Sequence, residues 1–377
     1  MEPVDRVGDV NRPPHGSRHP RRANTRRTDY DESDVRIRPN PRGSRARTKI
    51  RPKHDDAVAA RVVTVDRGRF TTLVGEGTSD EREVTAMRAR ELGRTSIVVG
   101  DRVGLVGDTS GAPDTLARLV KVAERDSVLR RTADDTDAAE RVIVANANQL
   151  VMVTAAADPQ PRPRMIDRCL VAAYDAGMRP VMVITKADLA DPQEFLSGFE
   201  ALAVPSVITA IQPDGRIAGL AELRAVLTGA DSVLVGHSGV GKSTLVNAVA
   251  PHAGRTTGAV NAVTGRGRHT SSSAVGFRVF DDDGRALGWI TDTPGVRSFG
   301  LGHVRPSHVL EAFPSLAPGE VDCPRGCTHD EQECGLDGYV AAGHAGEKGP
   351  ARLDSFRRLL RARSGDGEDA DGPSPST

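Results

Sequence analysis

GHSGVGKS, residues 236–243, is the stretch that decides the fold. It matches the spacing G-x-x-x-x-G-K-[ST] of a phosphate-binding loop. Its context also fits, because DSVLVG (231–236) reads as a buried strand and residues 242–249 open a helix. Glycines let backbone N–H groups turn inward around a phosphate, and the helix N-terminus adds partial positive charge. On this reading Gly236, His237, Ser238, Gly239, Val240, Gly241, Lys242, Ser243 and Thr244 line the nucleotide. Lys242 reaches the β- and γ-phosphates, and Ser243 ligates Mg²⁺.

The surrounding sequence alternates strands and helices from about residue 140 to 300. QLVMVTAA (149–156), PVMVIT (180–185), PSVIT (205–209), 231–236, 275–280 and 287–291 read as strands. Residues 164–177, 195–202, 218–227 and 242–249 read as helices. Runs of β-branched residues alternating with helices predict a mainly parallel sheet covered on both faces.

Two further motifs choose the nucleotide. TKAD (Thr185, Lys186, Ala187, Asp188) follows a strand and resembles the guanine-reading element N/T-K-x-D. The Asp188 carboxylate can accept the N1 and N2 hydrogens of guanine, whereas adenine cannot supply that pair. A buried polar group left unmatched costs about 1–3 kcal/mol, enough to discriminate. Lys186 lays its stem along the base. DTPG (292–295) follows the strand 287–291 and resembles D-x-x-G. There Asp292 holds Mg²⁺ through water, and the Gly295 N–H meets the γ-phosphate. Each of these two motifs is weak alone; each also reads as an ordinary turn.

GRGRHTSSS (265–273) lies between the phosphate loop and DTPG, and its composition suits a switch segment. Thr270 is the expected second Mg²⁺ hydroxyl. His269 is a candidate for orienting water, and equally reads as a solvated histidine. Ordinary GTPases place the phosphate loop first and the guanine motif late. Here TKAD precedes the phosphate loop, which predicts a circular permutation of the same sheet, a change that surface termini lying close together tolerate. Ala210 falls where the last base-contacting loop is expected.

The rest of the chain is organised around this unit. The 377 residues are too many for one ordinary core. Residues 57–131 read as five short strands separated by Gly and Asp turns, which predicts a small barrel, OB-like or SH3-like. Such barrels often hold nucleic acid, but a structural role is equally open at this stage. Formal net charge is zero, yet residues 12–53 hold fourteen Arg/Lys against four Asp/Glu, and residues 364–377 hold four acids and no base. The expected organisation is therefore a disordered arm (1–56), a barrel (57–131), a permuted GTPase domain (132–303), a helical module (304–363) and an acidic tail (364–377). The arm reads either as a solubilising tail or as a cationic segment that meets a phosphate backbone.

Several classes are excluded. No apolar run approaches the roughly 18 residues of a membrane span. The start, MEPVDRVGDV, lacks the apolar stretch of a secretory signal. Four cysteines make no disulfide scaffold. Three of them cluster as C-x3-C-x-H-x4-C: Cys323, Cys327, His329 and Cys334 suit one tetrahedral structural Zn²⁺ in a reducing cytosol. Cys169 reads as a small core residue. Residues 351–363 read as a basic amphipathic helix, with Leu353, Phe356, Leu359 and Leu360 on one face and an arginine face that either packs or touches RNA.

Taken together, barrel, permuted GTPase motifs and Cys/His knot resemble the bacterial small-ribosomal-subunit biogenesis GTPase family, RsgA. ERDSVLRR (124–131) and DRCLVAAYDAGMRPVMVITKADL (167–189) support the resemblance, which spans about residues 57–363. It implies a cytoplasmic GTPase using GTP/GDP with Mg²⁺ and one structural Zn²⁺, binding the small subunit and its rRNA late in maturation. A monomer and no membrane partner are expected. The family usually has Asn where Thr185 stands, and two zinc-ligand gaps are one residue shorter here. Two rivals remain at this point: a nucleotide-gated RNA-binding protein with incidental hydrolysis, and a permuted GTPase serving the large subunit.

Overall fold

The computed structural model describes residues 54–132, 140–250, 274–293, 299, 301, 304–331 and 333–364. The arm to residue 53, the tail from residue 365, His269 and Thr270 of the switch segment, and Gly295 of DTPG lie outside the described residues. All described residues belong to one compact unit, Pro52–Thr377.

Five strands come first: β1 (Val58–Asp66), β2 (Arg69–Val74), β3 (Arg82–Arg88), β4 (Arg102–Gly107) and β5 (Ala117–Val122). They close into a barrel in the order 1-2-3-5-4-1, with β3–β5 parallel and the other pairs antiparallel. Alternation along each strand sends Val62, Phe70, Val84, Leu105 and Leu119 into the barrel interior. An antiparallel pair, β6 (Val128–Thr132) and β7 (Glu140–Ala145), leads into the next layer.

That layer runs β8 (Gln149–Ala155), α1 (Pro163–Asp175), β9 (Arg179–Thr185), α2 (Gln193–Ser197) and β10 (Ser206–Ile208). A two-stranded piece follows, β11 (Ala210–Ile211) with β12 (Ile217–Ala218), then α3 (Leu220–Leu227), β13 (Asp231–Val235) and α4 (Lys242–Val249). The hairpin β14 (Val275–Phe280) and β15 (Ala286–Asp292) ends it. Strands β10, β9, β8, β13 and β15 pair parallel in that order, and β14 is antiparallel to β15. Every residue of β8 is buried, because helices cover both faces. Leu150 and Met152 share a core with Ile166 and Leu170 of α1. Val151 and Val153 share the opposite core with Leu223 of α3 and Leu245 of α4.

Two helical expectations are corrected. Residues 195–202 do not form one helix: α2 stops at Ser197, and a separate 3-10 turn covers Glu200–Leu202. Gly198 between them is a poor helix former. Residue 218 does not start a helix, because it pairs in β12. Gly219 is left-handed at φ +79°, and a Cβ there would sit 2.0 Å from the Ile208 carbonyl oxygen, so α3 starts only after it.

The barrel is joined to the sheet rather than strung from it. β1 pairs with β14 at Thr64–Val275. Beside that pairing Trp289, the single tryptophan, lies between two guanidiniums, Arg61 at 4.7 Å and Arg278 at 5.0 Å from its ring. Its Nε1–H donates to Glu76 at 2.6 Å, and Arg61 pairs with Asp231 at 3.0 Å. Each cation–π contact is worth about 0.5–2 kcal/mol at this degree of burial.

Three helices complete the fold: α5 (Pro306–Glu311), α6 (Gly335–Ala341) and α7 (Gly349–Ser364). Leu353, Phe356, Leu359 and Leu360 of α7 are buried as their spacing predicts. The arginines beside them are engaged within the chain. Arg352 donates to Ser315, Arg357 to Asp337 and the His329 carbonyl, Arg361 to Asp330, and Arg363 to the Val304 carbonyl. Arg358 pairs with buried Asp167 of α1 at 3.0 Å.

Burial pushes the Asp167 carboxyl up to about 6, with the Arg358 charge opposing it. Its folded value lies above the unfolded one, so its contribution to stability is complete below about pH 4 and is lost as pH rises through about 6. Relative to Asp167→Asn, which does not titrate, the wild type is expected to lose about 3 kcal/mol between pH 4 and 7. Denaturant unfolding of both proteins across that range checks the sign and size.

Candidate functional site

The parallel strands β8, β9, β13 and β15 all end on one side of the sheet. Ligands of open α/β sheets bind in the crevice outside such carboxyl ends. Gly236 follows β13, and a Cβ there would sit 2.3 Å from the Val153 carbonyl oxygen of β8, so only glycine lets the loop cross. Gly239 and Gly241 are left-handed at φ +83° and +95°. Val240 is buried and anchors the loop, while Ser238, Ser243 and Thr244 are exposed. Lys242 opens α4, and its ammonium donates to the carbonyls of Gly236 at 2.6 Å and His237 at 2.8 Å. Burial holds this lysine below its ordinary value, and the Asp292 carboxylate opposes that shift. The two charged groups are therefore electrostatic neighbours at the same strand ends.

TKAD meets this loop. Thr185 ends β9, is 5 % exposed, and donates its hydroxyl to the Val240 carbonyl at 2.6 Å. Lys186 is left-handed at φ +56°, and its Nζ donates to the Asp158 carbonyl. The Ala187 N–H donates to the Thr209 carbonyl at 3.2 Å. Asp188 is exposed, and its Oδ1 accepts from the Ile211 N–H at 3.1 Å, so the segment around Ala210 is tied to the same corner. Asp292 ends β15, and Thr293 after it donates to the Leu234 carbonyl of β13 at 2.7 Å.

Sequence reasoning missed the connection from β8 to α1. Arg162 lies 3.1 Å from His237 Nε2, and the Pro159 ring lies 3.8 Å from where a Gly239 Cβ would be. The available signal was position: this connection also leaves the carboxyl end of a parallel strand. The site thus offers a half-buried ammonium, a glycine-rich turn at a helix N-terminus, and an exposed carboxylate beyond β9, with β8 between. That set suits a phosphorylated ligand with a hydrogen-bonding base.

The Cys/His knot is assembled separately. The ligand atoms of Cys323, Cys327, His329 and Cys334 lie within 4.8 Å of one another. Cys323 Sγ is 3.5 Å from His329 Nδ1 and 3.9 Å from Cys334 Sγ, and Cys334 Sγ is 3.8 Å from His329 Nδ1. Tetrahedral Zn²⁺ with ordinary bond lengths needs edges of about 3.8 Å between sulfurs and about 3.6 Å from sulfur to nitrogen. The donor set and its spacing therefore fit zinc. Burial holds His329 below its ordinary value, favouring the neutral ring that a ligand requires. His329 Nε2 faces Glu320 at 3.9 Å, and its backbone carbonyl accepts from Arg357 at 2.9 Å, so the residue is anchored at both ring and backbone.

Comparison with known proteins gives the family. The family described as RsgA GTPase matches residues 122–302. A curated relative from Azotobacter vinelandii, named small ribosomal subunit biogenesis GTPase RsgA, is 36 % identical over 273 residues, covering 70 % of this chain and 74 % of the relative. This chain belongs to the RsgA GTPase family. Among solved structures, YjeQ from Thermotoga maritima is similar at a TM-score of 0.57 and 26 % identity, covering 82 % of this chain and 99 % of that one. YloQ, titled a circularly permuted GTPase, is similar at 0.56 and 20 % identity, covering 83 % and 97 %. The fold is thus that of the permuted RsgA GTPases with a five-stranded barrel. Among the described residues, no helix is long and apolar enough to cross a membrane.

Zinc is expected at about one equivalent per chain. Cys334→Ser should lower both the metal content and the melting temperature, read by elemental analysis and calorimetry. A variant that kept its full metal content would place the ligands elsewhere.

Proposed function

We propose that this RsgA-family GTPase binds GTP in the crevice formed by TKAD, the 236–243 loop and Asp292, and hydrolyses it while assisting late maturation of the small ribosomal subunit. One observation carries the site: the Thr185 hydroxyl is bonded to the Val240 carbonyl, closing the base-reading motif onto the phosphate loop. Family membership carries the activity and the ribosomal setting. Cytoplasmic action, a monomeric state and a barrel and basic arm that contact rRNA complete the reading.

The chain's own groups divide the work. Asp188 accepts the two guanine hydrogens and selects the base. Thr185 holds TKAD against the loop through its hydroxyl but offers the base no amide, so base affinity rests mainly on Asp188. Loop N–H groups and Lys242 take the phosphate oxygens, replacing the two carbonyls to which the ammonium now donates. Ser243, Asp292 and Thr270 are the groups that would hold Mg²⁺, which supplies positive charge against the phosphoryl group in transfer. Switch GTPases commonly place a water-orienting Gln just after D-x-x-G. Val296 stands there in this chain and cannot hydrogen-bond water, which leaves His269 as the candidate. The four ligands of the knot hold zinc structurally and leave no open position for chemistry.

Intrinsic turnover is expected to be slow and to rise strongly with the partner. Phosphate release measured with and without purified small subunits tests this, and an unchanged rate contradicts the ribosomal role. Lys242→Ala should cut turnover on the order of 100-fold. Asp188→Asn should reduce the preference for GTP over ATP by about 10- to 100-fold, read by competition against labelled GTP.

A further inference from the structure

The connection from β8 to α1 reads DPQPRPR (158–164), and Arg162 stands in it between Pro161 and Pro163. Proline fixes its own φ and confines the residue before it to extended backbone. Arg162, which precedes Pro163, obeys this at φ −117° and ψ 95°. Its carbonyl accepts the first helical bonds of α1, from the N–H groups of Met165 at 3.1 Å and Ile166 at 3.4 Å. The backbone that carries this arginine is therefore held on both sides, and only the side chain can swing. That side chain is exposed, and its Nη1 lies 3.1 Å from Nε2 of His237, the second residue of the phosphate loop. A guanidinium only donates, so Nε2 is the acceptor here, and the other N–H groups of the fork remain available. Among the described residues the His237 ring is the side-chain partner of Arg162, and no carboxylate pairs with it.

We propose that Arg162 is a phosphate-binding residue supplied in cis: when GTP binds, its guanidinium turns from the His237 ring to the γ-phosphate. Placement gives the direction. His237 also presents the backbone carbonyl that the Lys242 ammonium takes at 2.8 Å, and that ammonium is the group expected to reach the β- and γ-phosphates. Arg162 thus stands against the residue of the loop that lies beside this ammonium, on the side of the sheet where β8 and β13 end. Charge gives the driving force. A guanidinium paired with an acid must surrender that acid before it binds a phosphate. Arg162 gives up an imidazole instead and gains an oxyanion that its planar fork matches. The flanking prolines lower the cost, because with the backbone already ordered only side-chain rotamers remain to be fixed. Val296 stands where a water-orienting glutamine is common, so electrostatic help to the transferring phosphoryl group must come from other residues. Lys242 and Arg162 would supply it from within the chain.

The rivals are that Arg162 only braces the phosphate loop through His237, or that it adds diffuse positive charge near an anionic ligand. Arg164 is the control for charge: it is exposed on the first turn of α1 and makes no hydrogen bond to the loop among the described residues. The experiment measures dissociation constants for GDP and a non-hydrolysable GTP analogue, together with kcat, on the full chain at one fixed ionic strength. Arg162→Met keeps the aliphatic stem and removes the donors. It is expected to lower the preference for the analogue over GDP at least about five-fold and kcat at least about ten-fold, with GDP affinity within about two-fold of wild type. Arg164→Met should leave all three within about two-fold. An unchanged preference in Arg162→Met overturns the proposal. So does an equal loss of GDP and analogue affinity, the mark of a loop brace, or the same loss of preference in Arg164→Met, the mark of diffuse charge. Should the methionine variant not fold, Arg162→Gln carries the same test, and an unchanged preference there is equally decisive. The proposal rests on the nucleotide site proposed above. A wild-type protein that binds neither nucleotide sinks that site, whereas wild-type binding with an unaltered Arg162 variant sinks only the role of Arg162.

Discussion

The hydrogen bond from Thr185 to the Val240 carbonyl spans 55 residues of sequence and brings two chemical functions to one corner. Its donor ends one buried strand and its acceptor follows another, with β8 between them. Such a bond forms only if the strands are parallel and in register, so that their carboxyl ends are level. The register supplies this: Val183 of β9 is level with Val153 of β8, and Val235 of β13 with Met152. Permutation of the chain leaves that geometry intact, because a sheet is indifferent to which loop has been cut so long as the strands keep their neighbours.

The barrel and the parallel layer are not modules on a linker. Here the sheet continues through β14 into β1, and the Trp289 seam closes beside it. Glu76 and Glu81 approach from the β2–β3 connection and hold Arg278 of β14 at 3.5 and 2.7 Å. The strand that leaves the switch segment is thus fastened to the barrel by backbone and side chain at once. A ligand can shift an equilibrium only by what it contacts differently in two states. A nucleotide-dependent change in the barrel's setting would therefore have to strain this seam.

Much of this was legible in the sequence, and for identifiable reasons. Continuous apolar runs marked β8, β9 and β13 because strands covered on both faces have no polar side. The glycines of 236–243 were legible because a close chain crossing and two left-handed residues admit little else. The Cys/His spacing foretold a knot whose four ligand atoms lie within 4.8 Å of one another. What could not be read was contact between distant segments of ordinary composition. Arg162 beside His237, Trp289 between two arginines, and Arg168 on the Phe299 carbonyl each depend on tertiary placement that periodicity does not encode. The broken helix at Gly198 and the late start of α3 at Gly219 were missed because apolar spacing continues across both glycines.

The arginines of α7 show what composition leaves open. Arg352, Arg357, Arg358, Arg361 and Arg363 read from sequence as a face that either packs or touches RNA, and each is engaged by a carboxylate, a hydroxyl or a carbonyl of this chain. A guanidinium already paired must give up that partner before it neutralises a phosphate, and the exchange returns little free energy. Their work is internal: they clamp the metal knot to α7 and α7 to α1. The arginines of the helical module thus hold α7 against α1 and against the Cys/His knot.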